Sequence, residues 1–476
     1  MEMVPKGFEF KTNPWTHQIA AFLASTSNDG FLSALDLGTG KTKVAIDTVR
    51  YFDGYKKKIK VLFVCLNSAV EKMKDEVEIH SNLSAVCVRG NKDEKWNIFH
   101  SRSNFYVINY EGLRSLITVK VKKNDEGKNK EVIHPQLLKR LMKIPFDFLI
   151  LDESHTVKSP KSLIFRIIKK ISNNFNNRLL LTGTPFGNTL LDVWSQYFVI
   201  DYGETFGSSF SRFRDAYFED KGFWGPVWVP TKTGEKFVKN KLYSKALRYT
   251  EEECSDLPEK IFHTLTYSLS EEQKVVYNEL IEGKSSDLTA EISNKAIAFR
   301  TISSGFIKSS DHIFKKNPKL DLLWETIEDV YKEQKVVIFV EYTMSRKIIE
   351  NFLKKKKVEF ASLSGETKDK YAEWHGKFQM NPKCRILVAQ IKSGGASIDL
   401  TAGTYCIYYE TSHSLITHQQ SHKRIHRGGQ TRRCFFYYLV GKGTVEVGMY
   451  KNLAKMKDAF DGIVDAKKFL KGEDDI

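Results

Sequence analysis

The chain has 476 residues, of which 41% are apolar and 28% charged, with 32 Phe and 20 Tyr; this is material for about three compact domains and excludes a disordered chain. No window approaches 18 consecutive apolar residues and the start MEMVPKGFEF lacks a signal-peptide core, so neither membrane spanning nor secretion is expected. Lys plus Arg number 74 against 58 Asp plus Glu, a net charge of +16 that fits a protein meeting a polyanion, although runs such as 56–58 and 354–357 are ordinarily solvated faces.

From about residue 31 to 200, the apolar runs FLSAL, KVLFVCL, FYVINY, DFLILD and RLLLTG alternate with helix-length segments. Runs of that kind are strands buried on both faces of a parallel sheet. Residues 117–134 alternate around the polar tip Asn124-Asp125-Glu126-Gly127, which predicts a β-hairpin or a flexible loop. Between 201 and 310 the pattern turns aromatic and charged, as in GFWGPVW at 222–228, and predicts a mostly helical insertion with its own small core. Phe223, Trp224 and Trp228 are expected to pack there rather than stack on bases. The strand grammar returns from about 335 with KVVIFV, FASLSG, RILVAQ, YCIYYE and FFYYLV. The fold class is therefore α/β, with two doubly wound parallel sheets and a helical insertion between them. The six cysteines are never closer than 22 residues, so neither a CxxC zinc half-site nor a disulfide framework is indicated, and they read as reduced thiols of an intracellular protein.

The chemistry concentrates in two places. In LDLGTGKT an apolar strand runs into a Gly-rich turn and then a helix. Gly38, Thr39 and Gly40 let the backbone approach an anion, Lys41 reaches terminal phosphates, and Thr42 can hold a magnesium ion. The pattern GxxxxGK[ST] would place Gly at 35, where this chain has Leu35. In DFLILDESH a second strand ends in Asp152 and Glu153, which puts one acid beside a metal and the other beside an attacking water.

These segments resemble the superfamily II helicase-type ATPases, and in particular their Swi/Snf-type double-stranded DNA translocase branch. The resemblance runs in order through Trp15-Thr16-His17-Gln18, LDLGTGKT, LDESHTVKS, LLLTGTPFGN, VVIFVEYTMSRK, VAQIKSGGASIDLTAG and QQSHKRIHRGGQ. The family accommodates Leu35. Met73 stands where it commonly has tryptophan, and Ser397 and Asp399 where it has Gly and Asn.

The resemblance implies two RecA-like lobes, with residues 1–200 as the first, 201–310 as insertion and linker, and 311–476 as the second. It implies ATP and Mg2+ as cofactors, Gln18 on the adenine edge, and Asp399 on a ribose hydroxyl. Thr182 and Thr184 would couple phosphate to nucleic acid, and Arg424 and Arg427 would reach the γ-phosphate from the second lobe. Backbone-tracking contacts would come from Asn67, Ser68, Asn109, Tyr110, Gly365, Thr367, Lys392 and Ser393. The partner implied is double-stranded DNA read without sequence preference, including branched DNA, by a motor that tracks the duplex without parting it. Three alternatives stay open: a strand-separating DNA or RNA helicase with a wedge at 117–134, a motor subunit of a restriction, defence or packaging assembly, and a non-motor nucleotide switch. The intracellular setting expected is a bacterial or virus-infected cytoplasm, or a nucleus.

Overall fold

The computed structural model describes residues 5 and 7–453 apart from 37, 57, 123–128, 184–188, 222–227, 255–256, 284–293, 366–370, 393–397, 413 and 428. The described chain divides into two compact units, with the boundary between Ser255 and Asp256.

The first unit holds strands β1 (Gly30–Leu35), β2 (Val61–Cys65), β3 (Ala85–Cys87) and β4 (Phe105–Asn109), a hairpin of β5 (Thr118–Lys122) and β6 (Asn129–Ile133), then β7 (Phe148–Asp152) and β8 (Asn177–Leu181). A short ribbon of β9 (Phe218–Asp220) and β10 (Trp228–Pro230) precedes β11 (Ala246–Tyr249). Seven of these form one all-parallel sheet in the order β11-β1-β8-β7-β2-β4-β3. All six residues of β1 and all five of β2 are buried, as expected of strands covered on both faces. Phe63, Val107 and Ile150 pack under the helices Lys41–Lys56 and Val70–His80, against Ala45, Val49 and Val77. Every strand ends on the same edge of the sheet, which collects the motif loops.

The second unit opens with β12 (Lys260–Tyr267), followed by a small ribbon of β13 (Phe306–Ile307) and β14 (His312–Ile313). Then come β15 (Val336–Val340), β16 (Phe360–Leu363), β17 (Ile386–Gln390), β18 (Tyr405–Tyr408) and β19 (Cys434–Gly441). The six-stranded sheet, again all parallel, runs β12-β19-β18-β15-β17-β16. Period-two alternation divides its core in two. Val337, Phe339 and Leu387 face the side closed by Phe378 and Ile425, while Val336, Ile338 and Val388 face the side closed by Ile327, Ile349 and Leu353.

The α/β class with two doubly wound parallel sheets is thus observed. The 117–134 hairpin is present, with Thr118 opposite Ile133 and Lys122 opposite Asn129. The stretch 201–310 does not form one insertion: β11 completes the first sheet and β12 the second, because both alternate well enough to pair at a sheet edge although neither is a continuous apolar run. A small apolar cluster does form inside it, around Tyr277, Leu280 and Ile302 in the second unit. Trp228 packs under the Arg214 guanidinium at 4.4 Å, while Phe223 and Trp224 lie outside the described residues. Among the described residues, no helix is long and apolar enough to cross a membrane.

A buried ion pair ties the end of the second sheet to its helices. Lys319, wholly buried, meets Glu446, whose other carboxylate oxygen accepts from the Gly441 amide at 2.8 Å and the Tyr267 hydroxyl at 3.2 Å. The ammonium also lies 5.1 Å from the Tyr409 ring centroid. Removing one partner strands the other in the core, so Lys319→Ala is expected to lower unfolding free energy by about 3–5 kcal/mol, whereas Lys319→Met with Glu446→Leu should cost far less. Urea midpoints of the two variants check this.

Candidate functional site

At the carboxyl edge of the first sheet, β1 runs into the turn Gly38-Thr39-Gly40 and then the helix beginning at Lys41. Gly38 (φ 86°) and Gly40 (φ 82°) both sit in the left-handed region, where a side chain is strained. A Cβ on Gly40 would also lie 2.2 Å from the Gln18 amide nitrogen. Gln18 and His17 hold this turn: the Gln18 amide donates to the Thr39 carbonyl at 3.0 Å, and a His17 ring nitrogen lies 2.7 Å from the same oxygen. The Gln18 carbonyl oxygen accepts from the Trp15 amide at 3.0 Å. Thr39 closes the turn by donating its hydroxyl to the Asp36 carbonyl at 2.7 Å.

Two strands away in the same sheet, β7 ends at Asp152. Glu153 follows in the left-handed region, at φ 49° and ψ 53°, an uncommon conformation for a residue with a Cβ. This turn brings the carboxylate to Lys41, whose ammonium donates to Glu153 Oε1 at 3.1 Å with both side chains buried. Glu153 Oε2 lies 3.3 Å from His155 Nδ1, and that nitrogen lies 3.5 Å from the hydroxyl of buried Thr182, just past β8. One chain of contacts therefore joins the ends of β1, β7 and β8.

The electrostatics separate the two acids. Burial and the neighbouring Glu153 charge outweigh Lys41 and push the Asp152 carboxyl up to about 6. Burial also pushes Glu153 up, but the Lys41 charge and the His155 contacts outweigh it and bring Glu153 down to about 2. Lys41 is pulled down by burial and raised overall by Glu153, Asp152 and Asp36. Asp152 Oδ1 is buried and has no hydrogen-bond partner among the described residues. A buried, unpartnered carboxylate oxygen could serve a hard cation, and Thr42 at the helix N-terminus offers a hydroxyl oxygen; such oxygen donors fit magnesium.

Other sequence candidates of this unit lie at the same edge with more local duties. Tyr110 is buried, and its hydroxyl donates to the Asp152 carbonyl at 2.7 Å, so it supports the acid strand from below. Asn109 caps the helix Tyr110–Ile117, accepting from the Gly112 amide at 3.2 Å. Asn67 and Ser68 are exposed after β2, where the Asn67 carbonyl accepts from Arg89 at 3.2 Å. Residue type and spacing give no role to His17, Asp36 or His155, although all three stand inside quoted motifs; their positions one residue before Gln18, two before Gly38 and two after Glu153 are the available signal.

In the second unit, exposed Gly365 follows β16, and Lys392 follows β17, where it pairs with Glu341 at 2.6 Å. Asp399 caps its own turn, accepting from the Thr401 amide at 2.9 Å. Arg424 is buried on the helix Leu415–Ile425, where burial lowers it to about 10. Arg427 lies in the following turn, half-buried, with no side-chain hydrogen bond or ion pair among the described residues. Thr184, Thr367 and Ser393 lie outside the described residues.

Residues 16–317 match the family model described as SNF2-related domain, and residues 318–429 match the helicase conserved C-terminal domain. An uncharacterized ATP-dependent helicase of Mycoplasma genitalium is 25% identical over 433 residues, 88% of this chain and 38% of that protein. The Bos taurus SWI/SNF-related matrix-associated actin-dependent regulator of chromatin subfamily A containing DEAD/H box 1 is 24% identical, over 89% of this chain and 46% of its own length. The Danio rerio chromodomain-helicase-DNA-binding protein 1-like is 22% identical, over 94% and 43%. The chain thus spans less than half the length of these relatives. Among solved structures, the Sulfolobus solfataricus SWI2/SNF2 ATPase core in complex with dsDNA is similar with a TM-score of 0.45 and 22% identity, over 98% of this chain and 95% of that one.

Proposed function

The chain belongs to the SNF2-related family of ATPases, and on that premise we propose that it is an ATP- and magnesium-dependent motor that tracks along double-stranded DNA without parting it. The observation that carries the catalytic part is the Lys41–Glu153 pair beside the unpartnered oxygen of Asp152. Phosphates entering the turn compete with Glu153 for Lys41, because three charged oxygens outbid one carboxylate. Glu153, released from Lys41 and still oriented by His155, then orients the attacking water and takes its proton. Asp152 and Thr42 would hold magnesium, which when bound neutralises charge on the terminal phosphates. Thr182, reached through His155, carries the change of contacts away from the phosphate site. Arg427, with Arg424 as its support, supplies a guanidinium from the second unit, so that hydrolysis and lobe motion become one event.

Support for the DNA track comes from exposed groups at one edge of each sheet: Asn67 and Ser68 in the first, the Gly365 backbone and Lys392 in the second. Such groups bind phosphates and read no sequence. The net charge of +16 and the relatives named as regulators of chromatin or DNA-binding helicases agree with this reading. Branched duplexes are included among the proposed substrates. The ribbon β5–β6 favours a second reading, strand separation, because a hairpin can act as a wedge.

The two readings part in one assay. ATP turnover should rise steeply with blunt duplex DNA and little with single-stranded DNA or RNA of equal length. Equal or greater stimulation by single strands would favour the wedge.

A further inference from the structure

The parallel register of the second sheet aligns the starts of its strands in one row, at the pole opposite the motif loops. Amide-to-carbonyl bonds link Cys434 to Glu259, Phe435 to Thr404, Tyr405 to Lys335 and Val336 to Arg385, so the residues just before the strands stand side by side. Arg433, Lys335 and Arg385 occupy three places in that row, with Lys260, Arg432 and Lys383 adjoining it. The run 354–357, a solvated face on sequence grounds, closes the helix Thr343–Lys355 just ahead of β16 and so joins the same pole.

A helix C-terminus draws cations for its own sake, which accounts for part of 354–357. Strand starts have no comparable field, and although Arg385 donates to the Pro382 carbonyl at 2.9 Å, that bond leaves its charge uncompensated, as do the surroundings of Lys383 and, but for one weak pair, of Arg433 among the described residues. Lys335 has a local duty, since its ammonium holds the carbonyls of Phe378, Gln379 and Asn381 at the end of a helix. It does so at a cost: burial first, then the charges of Arg385 and Arg432, pull it below its ordinary value. Arg432 is fixed across the row by donating to Gln334 at 3.3 Å and to the Ala402 carbonyl at 3.0 Å. Among the described residues five carboxylates stand nearby, but Glu259 is spent weakly on Arg433 at 3.8 Å, Glu359 meets Lys377 at 3.5 Å and Asp329 meets Lys332 at 2.7 Å, which leaves Glu328 and Glu333 against the larger number of cations.

We propose that the strand-start pole of the second sheet is a second nucleic-acid surface, which holds the phosphate backbone of a duplex segment other than the one in the motor track. Six strands at about 4.8 Å spacing give an edge of about 24 Å, the length of about seven phosphates on one strand. The strands themselves separate this surface from the loops at Gly365 and Lys392 by about 16 Å. A motor so built grips two duplex segments at once, two arms of a junction or two turns of one bent duplex. Binding here needs no ATP turnover, so the surface can fail while the motor reading stands.

A bead-tethered duplex saturated with the full chain, without nucleotide, is offered a labelled second duplex. Wild type should retain the label. Lys354→Ser/Lys355→Ser/Lys383→Ser/Arg433→Ser should lose at least about tenfold in retained label while staying on the beads and keeping duplex-stimulated ATP turnover. An equal change of charge elsewhere, Lys72→Ser/Lys74→Ser/Lys221→Ser/Lys274→Ser, should retain it. Bridging by the first variant, absence of bridging by wild type, or displacement by polyglutamate at lower charge concentration than by DNA would each overturn the proposal, the last in favour of an acidic protein.

Discussion

Replacing Lys41 by alanine is expected to lower ATP turnover by about 10³ or more, since it deletes the buried ammonium that stands at the phosphate turn. Glu153→Gln should lower turnover by about 10²–10⁴ through loss of the base, but with the opposite effect on binding. In the resting site Glu153 holds Lys41 at 3.1 Å, and a neutral glutamine competes less well with phosphate for the ammonium. Nucleotide affinity should therefore be kept or raised in Glu153→Gln and reduced in Lys41→Ala. Phosphate release and binding of a fluorescent ATP analogue, measured on both variants, separate the two effects. Weakened nucleotide binding in Glu153→Gln would show that its carboxylate serves the cradle rather than the water.

Arg427→Ala should cost about 10³–10⁵ in duplex-stimulated turnover, the range for an arginine supplied in trans to a phosphoryl group. Its side chain has no partner to lose among the described residues, so stability should be unchanged. Arg424 differs. It is buried in the helix that presents Arg427, and Arg424→Ala should lower the urea midpoint along with activity. Near-normal turnover in Arg427→Ala would show that the second unit does not complete the site.

The strands were legible wherever burial on both faces wrote a continuous apolar run. FLSAL, DFLILD and KVVIFV all became central strands. β11 and β12 were hidden because neither is a continuous apolar run: ALRY carries a charged residue, Arg248, although it is buried, and KIFHTLTY leaves Phe262, His263 and Thr264 exposed. In the site, residue types and order pointed to the turn and the two acids, since phosphate and metal chemistry restrict those choices. Spacing could not show that Glu153 sits in the left-handed region, or that Tyr110 supports Asp152 from below, because both depend on how β4 and β7 lie in the sheet. The basic pole was equally illegible: its cations are scattered from Lys260 to Arg433 and meet only through parallel register.

Triplex displacement tests the central claim most directly. A third strand is wound in the groove of a blunt duplex, and its release is followed with and without ATP, beside a forked duplex carrying a plain single-stranded tail. A motor that tracks intact duplex DNA releases the third strand in an ATP-dependent manner that Glu153→Gln abolishes, and leaves the tailed duplex paired. Efficient unwinding of the tailed duplex with no release of the third strand would contradict the account.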